Sequence, residues 1–344
     1  MFNFGKIKEP NTIIISRTDK IGDLVLSIPA ISMVKKMYPK CKLYVLVRKY
    51  NSEIVKGFQF IDGVISIDNY SEHELVEKMR QIHADVFIAL YSNNQILKLA
   101  LKSGAKYRIG PLSKPLSWFI YNKGIRQHRS ESLKNEAEYN LDLVRQLDKE
   151  LFERQKITVD PIPYGRLNHN KIVEFLDNNK IYNYILIHPF SGGSTKNFTV
   201  DEYIKLINKI HEKWPDKQIV ISSSNDDIKE AERIKAACAN THIYKANSIL
   251  EIAALIDKCR LYIGASTGPS HIAGNLKKKC ICIYPAYKFL SKTRWGLYGN
   301  DENTTYIIPD KDSAGNDYKA KTFDNITDEI ITETAEKALE KLYG

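Results

Sequence analysis

The sequence has no apolar run approaching the roughly 18 residues that a membrane-spanning helix needs. Its first residues, MFNFGKIKEP, hold no apolar leader core. The expectation is a cytoplasmic chain that stays on the side of the membrane where it is made. Cysteine is scarce: Cys41, Cys238, Cys259, Cys280 and Cys282 are the five in 344 residues. They are odd in number and scattered, and the C-x-C pair at 280 and 282 has no His or Cys partner at metal spacing. They read as reduced, buried thiols, which argues against a disulfide frame and against a metal centre. Walker A spacing, zinc-finger spacing, a helix-turn-helix signature and an RNP-like strand are all missing, so nucleic acid is not the expected partner. No Asp-x-Asp follows a segment that reads as a strand. Acid is the scarcer charge, with 41 Asp and Glu against 51 Lys and Arg and a net charge of +10. Such a surplus points to anionic lipid or to phosphate-bearing small molecules.

What is present is alternation. Short β-branched runs at 12–16, 42–48, 63–68 and 84–91 are separated by amphipathic segments. Strands that alternate with helices predict a parallel sheet of βαβ units. The segment 22–38 reads as one helix, which Pro29 kinks or whose true first turn Pro29 marks. The stretch ITVDPIPYG, 157–165, carries two prolines and a glycine and reads as a linker. The pattern then restarts, with strands at 184–190, 218–224, 261–266 and 280–286. Two Rossmann-like domains facing a cleft are expected, with ligands at the C-terminal ends of the strands. The boundaries read as 1–160, 161–326, and a last helix at 327–344 with the option of packing back on the N-terminal domain.

Four loops follow these strands. In SRTDKIGDLVLSIPAI, 16–31, two acids, two bases and a glycine fall within seven positions. That is either a solvated turn or a βα loop that carries chemistry; Asp19 reads as a solvated loop acid. In HPFSGGSTKNFT, 188–199, glycines allow backbone N–H groups to approach an anion. Ser194, Thr195 and Lys196 add hydroxyls and positive charge. A flexible polar loop is the plain alternative. In GASTGPSHIAG, 264–274, Pro269 suits a first helical turn, which leaves Ser266, Thr267 and the N–H groups around Gly268 facing the strand tips. His271 reads either as a ligand in that turn or as a satisfied core residue. The fourth, YPAYKFLSKTRWGLYGN, 284–300, offers Lys288, Lys292 and Arg294 for a base or phosphate, or is a surface loop that Trp295 anchors. Asp226 or Asp227, after the strand at 218–222, reads as a ribose ligand or as a helix N-cap. Leaving-group charge in such a protein falls to Lys196, backbone N–H groups and a helix dipole rather than to a metal ion or other cofactor.

Together these segments resemble glycosyltransferase family 9, the ADP-heptose:lipopolysaccharide heptosyltransferases. IIISRTDKIGDLVLSIPAISMVKKMYP is similar to the family's opening segment, IHPFSGGSTKNFTVDEYIKLI to its lysine-bearing loop, and YIGASTGPSHIAGNLKKKCICIYPA to its nucleotide loop. FDNITDEIITETAEKAL matches its C-terminal helix. The resemblance implies an α/β GT-B fold and an inverting, metal-independent transfer from a nucleotide-sugar donor, ADP-heptose first among the candidates, to an acidic glycolipid acceptor. It implies that the catalytic base falls on Asp23, beside Gly22. The diphosphate-binding lysine falls on Lys196, next to Ser194 and Thr195, and the nucleotide loop on Thr267, Gly268 and His271. One departure is Ser266, where many members carry aspartate. Arg17, Lys20, Arg48 and Arg126 are candidate contacts to an acidic acceptor or to the anionic inner-membrane surface. The stretch 114–129 either meets that membrane or buries Trp118 and Phe119 under a basic rim. A transferase or epimerase using another nucleotide sugar, and a non-catalytic sugar-nucleotide binder, are the alternative readings.

Overall fold

A computed structural model of the chain describes residues 7–193, 195–309, 323 and 326–343. The described residues divide between Pro163 and Tyr164 into two compact units. In the first unit the strands are β1 (Thr12–Ser16), β2 (Lys42–Val47), β3 (Gly63–Ser66), β4 (Val86–Ala89) and β5 (Tyr107–Ile109). They form one parallel sheet in the order β3-β2-β1-β4-β5. Ile13 of the central strand lies opposite Leu43 on one side and Val86 on the other. All five residues of β1 are buried. An unbroken apolar run, rather than an alternating one, is what a strand covered by helices on both faces requires.

The second unit repeats the design with one more strand. β6 (Ile185–His188), β7 (Ile219–Ser223), β8 (Thr241–Lys245), β9 (Leu261–Ala265), β10 (Cys280–Ile283) and β11 (Thr304–Ile307) lie in the order β11-β10-β9-β6-β7-β8, again all parallel. Both sheets are therefore doubly wound, as in a GT-B protein. In each, the winding reverses beside the first strand: between β1 and β4, and between β6 and β9. Loops leaving those strands open outward there, which makes the two reversal points the natural ligand sites.

Three strands escape the sequence pattern: β5, β8 and β11. Each lies at a sheet edge, and their sequences YRI, THIYK and TTYI are short and only partly buried. The segment 22–38 is two helices, Ile21–Val25 and Ile28–Met37, with Pro29 in the first turn of the second. A proline has no N–H to donate, and in the first turn none is needed. The last helix is Asp328–Tyr343. It packs within the second unit, against the helix Val200–Lys213 and the strands β9 and β10. Ile331, Ala335, Ala338 and Leu342, spaced as one helical stripe, join the core built on Ile185, Ile207 and Ile281. Lys205 pairs with Asp328 at 3.0 Å and Lys213 with Glu336 at 3.1 Å along its exposed margin. All five cysteines are buried, unpaired thiols.

Candidate functional site

The chain turns out of β1 at the first reversal point, and the first residue beyond the strand is Arg17. Its side chain is 2% exposed. Such a buried guanidinium must be fully compensated, and four side chains do this. Nε donates to Asp19 Oδ1 at 2.7 Å and Nη2 to Asp23 Oδ1 at 2.5 Å. Nη1 donates to Glu136 Oε1 and to Asn140 Oδ1, each at 2.9 Å. Glu136 and Asn140 stand one turn apart on the helix Glu136–Val144. Asn140 Nδ2 in turn donates to Ser27 Oγ at 3.2 Å, and Ser27 Oγ donates to the Asp23 carbonyl at 2.8 Å. Arg129 Nη1 donates to the same Glu136 oxygen at 2.6 Å. The first turn of the helix Ile21–Val25, which carries Asp23, is thus fixed from a helix more than a hundred residues away.

This arrangement revises two sequence readings. Asp19 is no solvated loop acid: it pairs with Arg17, and its carbonyl accepts from the Tyr50 hydroxyl and from Asn51 Nδ2. Burial pushes the Asp19 carboxyl up to about 7; the Arg17 guanidinium opposes the rise, and nearby Asp23 adds to it. Arg17 is no open contact for an acidic acceptor, because it is buried and four of its five N–H groups donate to Asp19, Asp23, Glu136 and Asn140. Burial would pull its own charge off, but Asp19, Asp23 and Glu136 outweigh that and hold it above its ordinary value. Arg48 is half-exposed and pairs with Asp68 at 3.0 Å. Lys20 and Arg126 are exposed, and Gly22 is buried. Sequence reasoning missed Thr18, Glu136 and Asn140. Thr18 Oγ1 is buried with no partner among the described residues, an uncommon state for a hydroxyl.

In the second unit, two loops leave adjacent strands at the reversal point. After β6 the chain passes Gly193, whose φ of +77° suits glycine, and reaches Thr195 and Lys196, both buried. Lys196 Nζ stands 6.0 Å from the centre of the Phe323 ring. Thr195 Oγ1 is buried with no partner among the described residues. The end of the loop is rigid. Asn197 Nδ2 donates to the Pro189 carbonyl at 2.7 Å, and the Tyr203 hydroxyl donates to Asn197 Oδ1 at 2.8 Å. Thr199 and Glu202 then form a reciprocal cap on the next helix. His188, at the tip of β6, lies 3.0 Å from Ser222 Oγ. Burial pulls its ring down to about 4, so it is neutral at physiological pH. Ser194 lies outside the described residues.

After β9 come Ser266, Thr267 and the helix Gly268–Asn275, with proline in its first turn. The Thr267 N–H is taken by Ser270 Oγ at 2.9 Å. His271 is buried in that first turn, and Ser266 neighbours the Tyr284 hydroxyl. The positive end of this helix faces the same sheet edge as the Lys196 loop, which suits an anion. Asp226 is exposed beyond β7, and Asp227 accepts from Ser224 Oγ at 2.6 Å instead of capping the helix. Trp295 anchors the loop at 284–300 by donating its indole N–H to the Phe289 carbonyl at 2.7 Å. Among the described residues no group of three or more His, Cys, Asp or Glu side chains could hold a metal ion. The unread strand β11 does correct one point. Asp310-Lys311-Asp312 follows a strand after all, although those residues lie outside the described ones.

The sequence profile of glycosyltransferase family 9 (heptosyltransferase) matches residues 73–316. The chain belongs to this family. It is therefore a glycosyltransferase, with the nucleotide-sugar transfer chemistry of the heptosyltransferase type. A protein of Haemophilus influenzae that carries a glycosyltransferase description is 32% identical over 298 residues, 82% of this chain and 85% of its own. The crystal structure of a family 9 glycosyltransferase from Veillonella parvula superposes with a TM-score of 0.81 at 17% identity. It covers 96% of this chain and 98% of its own. The ADP-heptose LPS heptosyltransferase II of Escherichia coli gives a TM-score of 0.76 at 14% identity, over 97% of this chain and all of its own (100%). Family 9 enzymes thus share this chain's doubly wound sheets across nearly its full length.

Proposed function

We propose that this family 9 glycosyltransferase moves a heptose from ADP-heptose to a lipopolysaccharide core or a related acidic glycolipid. Transfer inverts the anomeric centre and needs no metal ion. One observation carries the reading: Arg17 fixes Asp23 at the head of the helix that opens at the β1–β4 reversal point. A hydroxyl is a weak nucleophile at neutral pH, and a positioned carboxylate makes it adequate. Asp23 takes the acceptor proton as the oxygen attacks the anomeric carbon. The bond to the diphosphate breaks on the opposite face, and the nucleoside diphosphate leaves with the electron pair. Lys196, the hydroxyls of Ser194 and Thr195, and the N–H groups at the start of the helix Gly268–Asn275 hold the departing charge. Thr267, Gly268 and His271 belong to the same donor site, Ser266 faces the nucleoside side, and Asp226 binds the ribose. Lys20, Arg48 and Arg126, with the chain at Gly22, receive the acidic acceptor at the cytoplasmic face of the inner membrane.

A second reading concerns the base alone. Asp19, pushed up to about 7, has a proton affinity close to what a general base needs at neutral pH. In that case Asp23 orients Arg17 and Asp19 takes the proton. The transfer itself is tested by incubating the enzyme with ADP-heptose and a delipidated core acceptor, then reading the product's anomeric configuration by NMR. Inversion is expected; retention of configuration contradicts the proposal.

A further inference from the structure

From Val86 to Ser130 the chain carries eight Lys or Arg residues and no Asp or Glu. In the middle of this stretch lies the helix Pro115–Ile120. Its inward residues are Ser117 and Ile120, both buried. Its outward residues are Leu116, Trp118 and Phe119, exposed at 53%, 54% and 84%. Three neighbouring large apolar side chains in water are an unusual surface on a single short helix.

The helix is held firmly from beneath. Arg108 Nε donates to the Ile120 carbonyl at 2.8 Å, and the Tyr121 hydroxyl lies 2.7 Å from Ser92 Oγ. The chain returns beside its outgoing path, with Leu112 N–H donating to the Ile125 carbonyl at 2.9 Å and Ile125 N–H to the Gly110 carbonyl at 3.1 Å. An added Cβ at Gly110 would fall 2.5 Å from the Tyr121 ring, and one at Gly124 would fall 2.4 Å from Leu112. The apolar tip is thus displayed on a braced excursion after β5, and it does not reach the core because the brace holds it out.

We propose that the helix Pro115–Ile120 is a membrane-docking wedge. Leu116, Trp118 and Phe119 enter the headgroup region of an anionic bilayer, and exposed Lys114 meets lipid phosphates beside it. Charge decides between a bilayer and a protein partner. Lys98 and Arg129 of this stretch are engaged by Glu72 and Glu136, but exposed Lys114, beside the apolar tip, has no acid of its own segment near it in sequence, which suits a uniformly negative surface. Among the described residues no helix is long and apolar enough to cross a membrane, so attachment by this route is peripheral. The proposal rests on the reading above that the acceptor is a glycolipid, which a docked enzyme meets at the bilayer surface.

The test is co-sedimentation of the full chain with phosphatidylethanolamine–phosphatidylglycerol vesicles and with phosphatidylcholine vesicles, at low and high salt. The wild type and the variant Leu116→Ser/Trp118→Ser/Phe119→Ser are compared, with circular dichroism melts to confirm that both fold. The wild type is expected to pellet with the anionic vesicles and less so in high salt. The variant is expected to bind about tenfold more weakly or worse, since three apolar side chains no longer leave water. Undiminished pelleting of the variant overturns the proposal, as does a wild type that stays in the supernatant. A wild-type dimer that the substitutions dissociate, without vesicle binding, also overturns it and assigns the patch to a second copy of the chain. Transfer to the delipidated acceptor is expected to be unchanged in the variant, which keeps a failure of docking distinct from a failure of the glycosyltransferase reading.

Discussion

Arg17 Nη2 and Asp23 Oδ1 lie 2.5 Å apart, and the arginine that makes this contact is buried. The carboxyl proposed as base is therefore oriented by a charge that has no solvent of its own. That charge is shared with Glu136 and Asn140 on a distant helix and with Asp19 in the same loop. The site loop is in this way tied into the framework of the first unit.

For Asp23 the expected outcome of Asp23→Asn is a collapse of turnover by about 10²–10⁴-fold, the usual contribution of a positioned base. Nucleoside diphosphate binding, measured by calorimetry, should stay close to wild type. Transfer near the wild-type rate would remove Asp23 as base and leave Asp19→Asn to show the loss.

Asp19 predicts a pH dependence. Its carboxyl is raised above the unfolded value of about 4, so the folded state holds this proton more tightly than the unfolded state. Its contribution to stability is greatest below the unfolded value. That contribution falls as pH rises from about 4 toward 7, where the folded group ionises, and is level above that. Asp19→Asn should remove this slope from melting curves taken across the same range. It should also remove any limb near pH 7 in the kcat profile. An unchanged slope in the variant would show that Asp19 titrates normally.

Arg17→Ala should destabilise the protein by about 3–5 kcal/mol, because it leaves Glu136 and Asp19 buried without their cation. Chemical denaturation reads the loss. Arg17→Lys keeps the charge but not the fork that reaches three carboxylates at once, so it should recover part of the stability while turnover stays low. Full activity in Arg17→Lys would show that the geometry of the fork is not what positions Asp23.

The paired loop on the second unit can be separated from mere structure through Thr195. Its Oγ1 has no partner among the described residues, so Thr195→Val should leave the melting temperature of the ligand-free protein unchanged or slightly raised. The same change should weaken nucleoside diphosphate binding about tenfold, the worth of one hydrogen bond to a charged group. Lys196→Ala should weaken it further. Unchanged dissociation constants in both variants would place the diphosphate elsewhere. Chelation with EDTA should leave transfer intact. Loss of activity, restored by added Mg²⁺, would direct attention to Asp310 and Asp312.

The central strands and most of the major helices were legible in the sequence because runs such as TIIIS and CICIYPA are built on consecutive apolar or β-branched residues with no charge. β5, β8 and β11 were not, because an edge strand needs no such run. The loops at both reversal points were legible as clusters of charge, glycine and hydroxyl. Their internal logic was not. Nothing in local spacing tells that Arg17 meets Glu136, 119 positions on. The one available signal was a Glu and an Asn four apart among the apolar residues of EAEYNLDLV, where polar groups on a burying face need a buried partner. Trp118 and Phe119 were ambiguous for the opposite reason: composition marks them as core, and only the brace beneath them keeps them out.

The most direct test of the central claim is nucleoside diphosphate release from a panel of ADP-, UDP- and GDP-sugars, with and without a lipopolysaccharide core acceptor. The account predicts ADP release from ADP-heptose that depends on the acceptor and is lost in Asp23→Asn. Release from a UDP- or GDP-sugar in preference, or tight binding without release from any donor, would contradict it.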